Sequence, residues 1–522
     1  MTCSQGVGSP AVRRVSVWLF LMLALFHIGI SRGHFVGTDE INVYQTARSL
    51  YERGGLSVGH TRNTMPGRNG LEYSVYNAGL AVIALPLYAA GRQLHYALDA
   101  MGQGEWVRIL SGPPSGLEPW YFGGDLEIVM VNFTNAFLTA LLCVVFFRTS
   151  LLLGARLSTS LGVSIVLGTA TYVAPFSIGL LRHTCEALFM VAAIYFLIAD
   201  ASAPSPSKRL WAGVMLGILL QVRLAAIICF PGILGYALYN AWVRTRATGT
   251  GRSRIETVAR ELVPIGVPLL VSLAIYFAVN WIKFDSVLGF YGDGIQSRFE
   301  TPLLYGLHAF LFSPGASVFL FTPLLLLSPW TLRRFYRSWR NETVMILIVT
   351  ASYLYFYSRF NEWHGLPTAL GPRYLVAIIP LLMLPLALWL EAQGPRVRSV
   401  VIGLVCVGFA FQLVHVVVNF GYVYHEEGYP QFVPPLGFMF SLKDAPLLAH
   451  FRSMFDSPHL IDMWLVTMAR DFGVGRMLLV LVPIASAASY CAVQLSRATR
   501  AAMNSKSPPP SDAASSAAAS TI

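Results

Sequence analysis

Long apolar runs are the feature that most constrains how this 522-residue chain can fold. Most of these runs are about 17–22 residues long, which is the length that an α-helix needs to cross about 30 Å of hydrocarbon. Only 12% of the residues are charged, compared with about 25% in a typical soluble protein. No run shows the two-residue alternation of membrane β-strands. The sequence therefore predicts an all-α polytopic membrane protein.

About twelve membrane-spanning helices are predicted from these runs. The 210–243 stretch is divided into two short spans, with a turn near Arg223. Because no small-residue cleavage site follows the first run, we expect an uncleaved first span after Arg13 and Arg14. The predicted spans lie near residues 15–31, 127–147, 159–178, 184–199, 210–224, 226–243, 263–281, 314–332, 343–358, 374–390, 399–420 and 474–494.

The orientation of the chain is predicted from its basic residues, which are concentrated in alternate loops. The positive-inside rule then places both termini in the cytoplasm. The net charge of +11 therefore reports orientation, and we expect no nucleic-acid partner. The expected location is a bacterial inner or plasma membrane.

One membrane domain is predicted over residues 15–498. A short cytoplasmic segment, 1–14, precedes it, and a disordered cytoplasmic tail rich in Pro, Ser and Ala, 499–522, follows it. The two longest extracytoplasmic loops are 32–126 and 421–473. The first of these is much longer than a simple connection requires, which is typical of a functional loop.

Two juxtamembrane helices are predicted inside the first extracytoplasmic loop. Apolar residues recur at helical spacing over 41–53, and Gly54-Gly55 ends this amphipathic helix. The segment 72–88 is apolar but interrupted. We interpret it as a membrane-dipping helix, because counting it as a span would place a basic loop outside.

Asp39 and Glu40 follow the first span directly. One interpretation is structural: Asp39 caps the helix and Glu40 lies in its first turn, where the helix dipole favours negative charge. The other is catalytic: a carboxylate at a membrane surface can accept the proton of an attacking hydroxyl. The two interpretations are compatible, because a cap also fixes a carboxylate in place.

Arginines near the extracytoplasmic ends of spans are candidates for binding an anion. Arg223 and Arg373 lie at such ends, and Arg182 and His183 lie at another turn on the same side. The planar guanidinium group can hold a phosphate through two hydrogen bonds. The alternative is that these side chains only extend to the membrane interface.

Trp363, Trp120 and Tyr291 are candidates for stacking on a sugar, with the interfacial aromatic belt as the simpler explanation. The sequence contains no nucleotide-binding motif of the G-x-x-x-x-G-K-[ST] or G-x-G-x-x-G type. Its six cysteines are far apart, and neither these nor Asp293 forms a recognisable metal motif. We therefore expect neither a cofactor nor a metal ion.

Several short motifs occur in an order that resembles the GT-C superfamily of integral-membrane glycosyltransferases. The nearest types are protein O-mannosyltransferases and the lipid A aminoarabinose transferase. The resemblance covers roughly residues 15–400. Its motifs are Gly37-Thr-Asp-Glu40, Tyr73-Ser-Val-Tyr-Asn-Ala-Gly79, Leu311-Phe-Ser-Pro-Gly315, Trp363-His-Gly365 and Gly371-Pro-Arg-Tyr374.

This resemblance implies a polyprenyl-phosphate-linked sugar donor and catalysis on the outer leaflet without a metal ion. Asp39 matches the catalytic acidic residue of the family, with Glu40 beside it. Arg373 and Arg223 fall where basic residues hold the lipid phosphate, and Arg182 with His183 extends that set. The substrate-binding candidates are Tyr374, Tyr76 and Trp363.

The acceptor implied by the resemblance is a hydroxyl of an envelope lipid, a glycan or a protein. Asn77 stands where the family usually has proline, and the Pro/Gly-rich insert 111–120 is a second departure. Both bear on the acceptor side of the site. The alternatives are a polysaccharide ligase or polymerase, a flippase or transporter for lipid-linked sugars, and a non-catalytic membrane scaffold. The sequence predicts neither the sugar nor the oligomeric state.

Overall fold

The computed structural model describes residues 8–61, 63–112, 122–246, 251–289, 298–365, 371–419, 421, 423, 437–443 and 445–504. These residues form twenty α-helices and one antiparallel pair of short strands, β1 (Thr64–Pro66) and β2 (Glu72–Ser74). The helices, α1 to α20 in chain order, are Pro10–Gly29, Thr38–Arg53, Gly79–Ala100, Gly104–Ser111, Leu126–Asn132, Thr134–Leu152, Leu157–Thr169, Arg182–Ser202, Pro206–Val222, Phe230–Thr245, Gly251–Phe284, Leu303–Phe312, Val318–Phe321, Ser328–Ser338, Arg340–Arg359, Ile379–Glu391, Pro395–Val417, Pro446–Asp456, Trp464–Phe472 and Val474–Asn504.

Eight helical segments of the described chain are long and apolar enough to cross a membrane. The predicted fold class, an all-α polytopic membrane protein, is thereby confirmed. Three of the eight join an α-helix to a shorter helix before it. The segments are Pro10–Gly29, Leu126–Leu152, Arg182–Ser202, Leu224–Thr245, Arg254–Phe284, Arg373–Glu391, Pro395–Val417 and Val474–Asn504.

The predicted count of twelve spans is not confirmed, because four predicted segments are not among the eight. The segment 314–332 is divided between α13, a 3₁₀ turn that begins at Pro323, and α14; a proline inside a helix removes a backbone donor. Helix α7 has 13 residues, which is short for a span, and α9 has 17, which is at the lower limit. Helix α15 has 20 residues but begins with charged ones.

The centre of the helical bundle is formed by α6, α8 and the segment Arg373–Glu391, which are the most deeply buried of the long apolar segments. Helix α8 packs between α6 and α9, while α1 packs against α6 and α20. Helix α11 lies on the far side of α9 and is mostly exposed. The candidate site is built on the ends of these central elements.

The first predicted loop contains α2, the β1–β2 hairpin, α3 and α4. The predicted helix 41–53 is observed as Thr38–Arg53, and Gly54 ends it in a left-handed conformation (φ 63°). The predicted segment 72–88 begins as strand β2, and its helix starts only at Gly79. Helix α3 packs against α2 and α5.

The end of the chain differs from the prediction of a tail that starts at residue 499. Helix α20 continues to Asn504, so residues 499–504 are helical. The rest of the predicted tail, 505–522, and most of the loop segment 420–436 lie outside the described residues.

Candidate active site

Glu40 fixes the start of α2 and does not face the open part of the site. Its Oε2 atom accepts hydrogen bonds from the backbone N–H groups of Val36 (3.1 Å) and Gly37 (3.2 Å). Its Oε1 atom accepts a third from Leu180 (2.7 Å). The cap position belongs to Gly37 and not, as predicted, to Asp39. Glu40 is only 2% exposed, so these three donors satisfy a buried carboxylate.

The turn before α8 can approach Glu40 because residue 179 is glycine. A Cβ atom on Gly179 would lie 2.3 Å from Glu40 Oε1, so any other residue there would displace the Glu40 carboxylate. Asn135 of α6 holds the same turn by donating to the carbonyl oxygens of Gly179 (2.6 Å) and Leu181 (2.7 Å). The first turn of α2 and the first turn of α8 are thus locked together.

Asp39, the neighbour of Glu40, is surrounded by side chains instead of backbone groups. Its Oδ1 atom accepts hydrogen bonds from the Tyr76 hydroxyl and from Asn63 Nδ2 (3.1 Å). Its Oδ2 atom lies 3.6 Å from the guanidinium group of Arg182. The Asp39 side chain keeps 20% of its surface exposed, so this carboxylate is less enclosed than that of Glu40.

The β1–β2 hairpin brings Asn63 and Tyr76 to Asp39. Asn63 also donates to Thr38 Oγ1 (2.6 Å), and its carbonyl oxygen accepts from Asn42 Nδ2 (3.1 Å) and from the Val75 N–H (3.1 Å). Asn63 therefore joins the two ends of the hairpin to α2. This bonding holds the side-chain donors of Asp39 in fixed positions.

Tyr76 stands between the carboxylate and the arginines. The Arg182 guanidinium carbon lies 4.0 Å from the centre of the Tyr76 ring, a cation–π contact. Burial, reinforced by the Asp39 carboxylate, raises the pKa of the Tyr76 hydroxyl well above its ordinary value, while Arg182 and Arg373 act in the opposite sense. Tyr76 therefore stays protonated and serves as a donor to Asp39.

The segment after Tyr76 docks on the end of α9. Asn77, which departs from the family pattern, donates through Nδ2 to the carbonyl oxygen of Leu220 (2.9 Å). A Cβ atom on Gly79 would lie 2.4 Å from the carbonyl oxygen of Gln221, so the close approach requires glycine. This contact places the Tyr76 segment beside Arg223.

Arg223 is a buried cation whose charge is compensated. Its NH1 group donates to Glu186 Oε2 (2.8 Å) and to His183 Nδ1 (3.1 Å). Tyr353 donates to the other oxygen of Glu186 (2.6 Å). The Arg223 guanidinium group also lies 5.2 Å from the ring centre of Tyr374. These contacts hold Glu186, His183 and Tyr374 around the Arg223 side chain.

Arg373 is a buried cation that forms no close ion pair among the described residues, although the carboxylates of Asp39 and Glu362 act on it electrostatically. It is 7% exposed, and its NH2 group donates to the hydroxyl of Tyr374 (2.8 Å). Within the described part of the chain, no carboxylate lies within 4 Å of it and its Nε atom has no hydrogen-bond partner. Gly365, at φ 72°, allows the backbone to pass the Arg373 side chain, which a Cβ atom there would meet at 2.8 Å.

Two adjacent residues at the start of α8 connect the two halves of the site. Arg182 contacts Asp39 and Tyr76, whereas His183 accepts from Arg223. A carboxylate that can accept a proton is thereby placed next to a group of cations that can stabilise an anion. That combination suits the transfer of a group from an anionic leaving group to a hydroxyl.

Solved structures similar to this chain include ArnT from Cupriavidus metallidurans. With ArnT bound to undecaprenyl phosphate the sequence identity is 17% and the TM-score is 0.47, covering 94% of this chain and 76% of that chain. With apo ArnT the sequence identity is 16% and the TM-score is 0.49, covering 95% of this chain and 77% of that chain. The S. cerevisiae protein O-mannosyltransferase Pmt1–Pmt2 complex bound to its sugar donor has 19% identity and a TM-score of 0.36, covering 54% of this chain and 35% of that chain.

Both enzyme types that the sequence motifs resemble are therefore among the similar structures. No family model and no curated protein matches the sequence. Similarity at this level leaves the functional argument to the residues of this chain.

Most of the residues that the sequence singled out meet in one place. Two of them do not face the open part of the site: Glu40 is saturated by backbone donors, and Trp363 is 2% exposed among Tyr305, Phe310 and Phe440. We interpret Trp363 as a packing residue. The candidates Trp120, Tyr291 and Asp293 lie outside the described residues. The predicted residues that meet are Asp39, Tyr76, Arg182, His183, Arg223, Arg373 and Tyr374.

Sequence reasoning missed Asn63, Glu186 and Lys283. Asn63 belongs to no motif and offers no signal in the sequence. Glu186 and Lys283 are charged residues inside apolar segments, which is a recognised sign of function in membrane proteins, and that signal could have found both. Among the described residues, no group of three or more His, Cys, Asp or Glu side chains lies close enough together to hold a metal ion.

Proposed function

We propose that this protein is a membrane glycosyltransferase that moves a hexosyl or pentosyl group from a polyprenyl-phosphate donor to a hydroxyl acceptor. The acceptor class is an envelope lipid, a glycan or a protein. The observation that carries the proposal is the guanidinium group of Arg373, which is buried beside the Asp39–Tyr76 pair and forms no ion pair within 4 Å among the described residues. The charge distribution of the sequence supports a site on the extracytoplasmic face.

The charge of Arg373 has no carboxylate in direct contact among the described residues; Asp39 and Glu362 act on it only from a longer distance. Burying a cation destabilises the fold unless the cation is paired. The desolvation penalty is on the order of several kcal/mol, even after the structure relaxes. Arg182 has Asp39, and Arg223 has Glu186. Arg373 is the member of this group that has no carboxylate within 4 Å in the described part of the chain. An anionic group of a substrate would serve as the counter-ion of Arg373.

The location of Arg373 supports a lipid-linked anion. It begins the segment Arg373–Glu391, which is apolar and long enough to span the membrane. A phosphate bound there would lie at the end of that segment, where its polyprenyl chain can remain in the hydrocarbon. Guanidinium groups suit phosphate because their fork of donors matches its oxygens.

The proposed reaction is a single displacement. The acceptor hydroxyl oxygen attacks the anomeric carbon, the bond from that carbon to the phosphate oxygen breaks, and the phosphate leaves with the electron pair. Oδ2 of Asp39 accepts the hydroxyl proton, because Tyr76 and Asn63 occupy Oδ1. Arg373 stabilises the departing phosphate. One displacement inverts the configuration at the anomeric carbon.

Binding of the donor lipid is the first test. We expect undecaprenyl phosphate to raise the melting midpoint of the purified protein in detergent, because a ligand that binds only the folded state stabilises it. Arg373→Gln should abolish that rise. Arg334→Gln, which changes an exposed arginine, is the matched control and should keep it. An unchanged rise in Arg373→Gln would contradict the assignment of Arg373.

Transfer is the second test. Mass spectrometry of envelope lipids, glycans and glycoproteins should reveal a sugar modification that depends on this gene. Cells that express Asp39→Asn should lack the modification although the protein is present in the membrane. A normal modification in those cells would overturn the role of Asp39 as the proton acceptor.

A further inference from the structure

Lys283 is a buried lysine that lies directly behind Tyr76. It stands at the end of α11 and is 3% exposed. Its ammonium group donates to the backbone carbonyl oxygen of Tyr76 at 2.9 Å. Because the Tyr76 hydroxyl donates to Asp39, a single residue connects Lys283 with the proposed proton acceptor.

The ammonium group of Lys283 has no counter-ion among the described residues; besides its hydrogen bond to Tyr76 it has a cation–π contact with Phe284, 4.9 Å from the ring centre. No carboxylate there lies within 4 Å of its ammonium group, and the nearby Asp285 pairs with Arg68 (3.2 Å). An ammonium group has three donors, and the structure assigns one of them to Tyr76. A lysine is rarely buried to this extent without a partner.

The end of α11 is held against the hairpin by contacts that do not need the ammonium group. A Cβ atom on Gly67 would lie 2.0 Å from the Lys283 carbonyl oxygen, so the two backbones are in close contact. The Tyr73 ring meets Phe284 edge-on, with centres 6.1 Å apart. Since packing already joins these elements, the ammonium group is available for another role.

We propose that Lys283 is a second anion-binding group of the site and takes a phosphate or carboxylate group of a substrate. This inference rests on the proposed function and deepens it, because it gives the site a second position for a negative charge. That charge can belong to the phosphate of the donor or to an acidic group on the acceptor. The chemistry of recognition is the same in both cases.

The test uses melting midpoints of the full-length protein in detergent with two probes, undecaprenyl phosphate alone and inorganic phosphate added to lipid-saturated protein. Lys283→Met is compared with Lys283→Arg and with Lys443→Met, which changes an exposed lysine. Without ligand, we expect Lys283→Met to melt at or above the wild-type temperature, since an uncompensated buried charge is removed. The other two variants should respond to both probes as the wild type does.

The two probes distinguish the two sources of the anion. If the donor supplies it, Lys283→Met loses the rise caused by undecaprenyl phosphate. If the acceptor supplies it, Lys283→Met keeps that rise but loses the further rise caused by inorganic phosphate. A Lys283→Met protein that keeps both rises overturns the proposal. The proposal is also overturned if Asp293→Asn lowers the melting midpoint and the further change Lys283→Met restores it. Asp293 would then be the counter-ion of Lys283.

Failure of the broader function gives a different result. In that case the wild-type protein itself shows no rise with undecaprenyl phosphate, and Arg373→Gln behaves as the wild type does. Inorganic phosphate is then added to the protein without lipid: a rise that the wild type shows and Lys283→Met lacks supports the anion site, and equal responses overturn it.

Discussion

Asp39 and Glu40 are adjacent in the first turn of α2, yet their carboxylates have opposite surroundings. Glu40 accepts three backbone N–H groups and is buried. Asp39 accepts from the side chains of Tyr76 and Asn63 and keeps part of its surface exposed. The first arrangement stabilises a fold, and the second leaves Oδ2 of Asp39 with no hydrogen-bond donor among the described residues closer than the Arg182 guanidinium group at 3.6 Å.

We therefore predict that Glu40→Gln reduces stability more than Asp39→Asn does. In the variant, the N–H₂ group of the glutamine amide would face backbone N–H groups that donate to the carboxylate in the wild type. A loss of about 1–3 kcal/mol in the free energy of unfolding is typical when buried donors lose their acceptor. The check is the melting midpoint of both variants in the same detergent. An equal midpoint for Glu40→Gln and the wild type would contradict the structural role of Glu40.

Asn63 is predicted to act through the position of Asp39. Asn63→Ala removes a hydrogen bond to Asp39 and one to Thr38, and we expect the turnover number to fall about tenfold, equivalent to about 1.4 kcal/mol of transition-state stabilisation. The KM for the donor should change little, because Asn63 does not contact the cations. Asn504→Ala, at an exposed position in α20, is the control. A rise in donor KM at constant turnover would assign Asn63 to binding instead.

The order of the motifs was enough to predict Asp39, Tyr76 and Arg373 as members of one site. Their separation along the chain did not matter, because the motifs lie at the ends of neighbouring spans. The different roles of Asp39 and Glu40 could not be predicted. The decisive partner of Glu40 is the N–H of Leu180, 140 residues away, and adjacent carboxylates look alike in a sequence.

The number of spans was predicted less well than the class of the fold. Mean hydropathy identifies apolar segments but does not show where a proline divides one, as Pro323 does between α13 and α14. The compensation of Arg223 was missed for a related reason. Glu186 lies inside an apolar helix, and only the packing of α8 against α9 brings the two charges together.

His364 gives a prediction about pH. Burial, with the charge of Arg373 nearby, lowers the pKa of His364 to about 4, below its ordinary value near 6.5. The unfolded chain therefore binds more protons than the folded protein between pH 6.5 and 4, and stability falls as the pH is lowered through that window. The contribution of this group is about 3 kcal/mol at most.

The measurement compares melting midpoints from pH 7 to pH 4 for the wild type and His364→Gln, since other buried histidines also respond to acid. The difference between the two proteins should shrink or reverse in favour of the variant as the pH falls. His60→Gln, at a side chain that is 80% exposed, should follow the wild type at every pH. A pH-independent difference between wild type and His364→Gln would contradict the prediction.

The Arg223–Glu186 pair separates a positioning role from direct binding of phosphate. Glu186→Leu alone leaves the Arg223 charge buried and unpaired, and we expect a loss of about 3–5 kcal/mol. Adding Arg223→Met should recover most of that loss, because the double variant buries neither charge. A third change, Tyr353→Phe, removes the hydroxyl that donates to Glu186 in the wild type and would otherwise lose its acceptor. If Arg223 only orients Tyr374 and His183, the Kd of this triple variant for undecaprenyl phosphate should rise by less than about tenfold. That rise corresponds to about 1.4 kcal/mol of binding free energy. A loss of about a hundredfold or more would show instead that Arg223 contacts the phosphate directly.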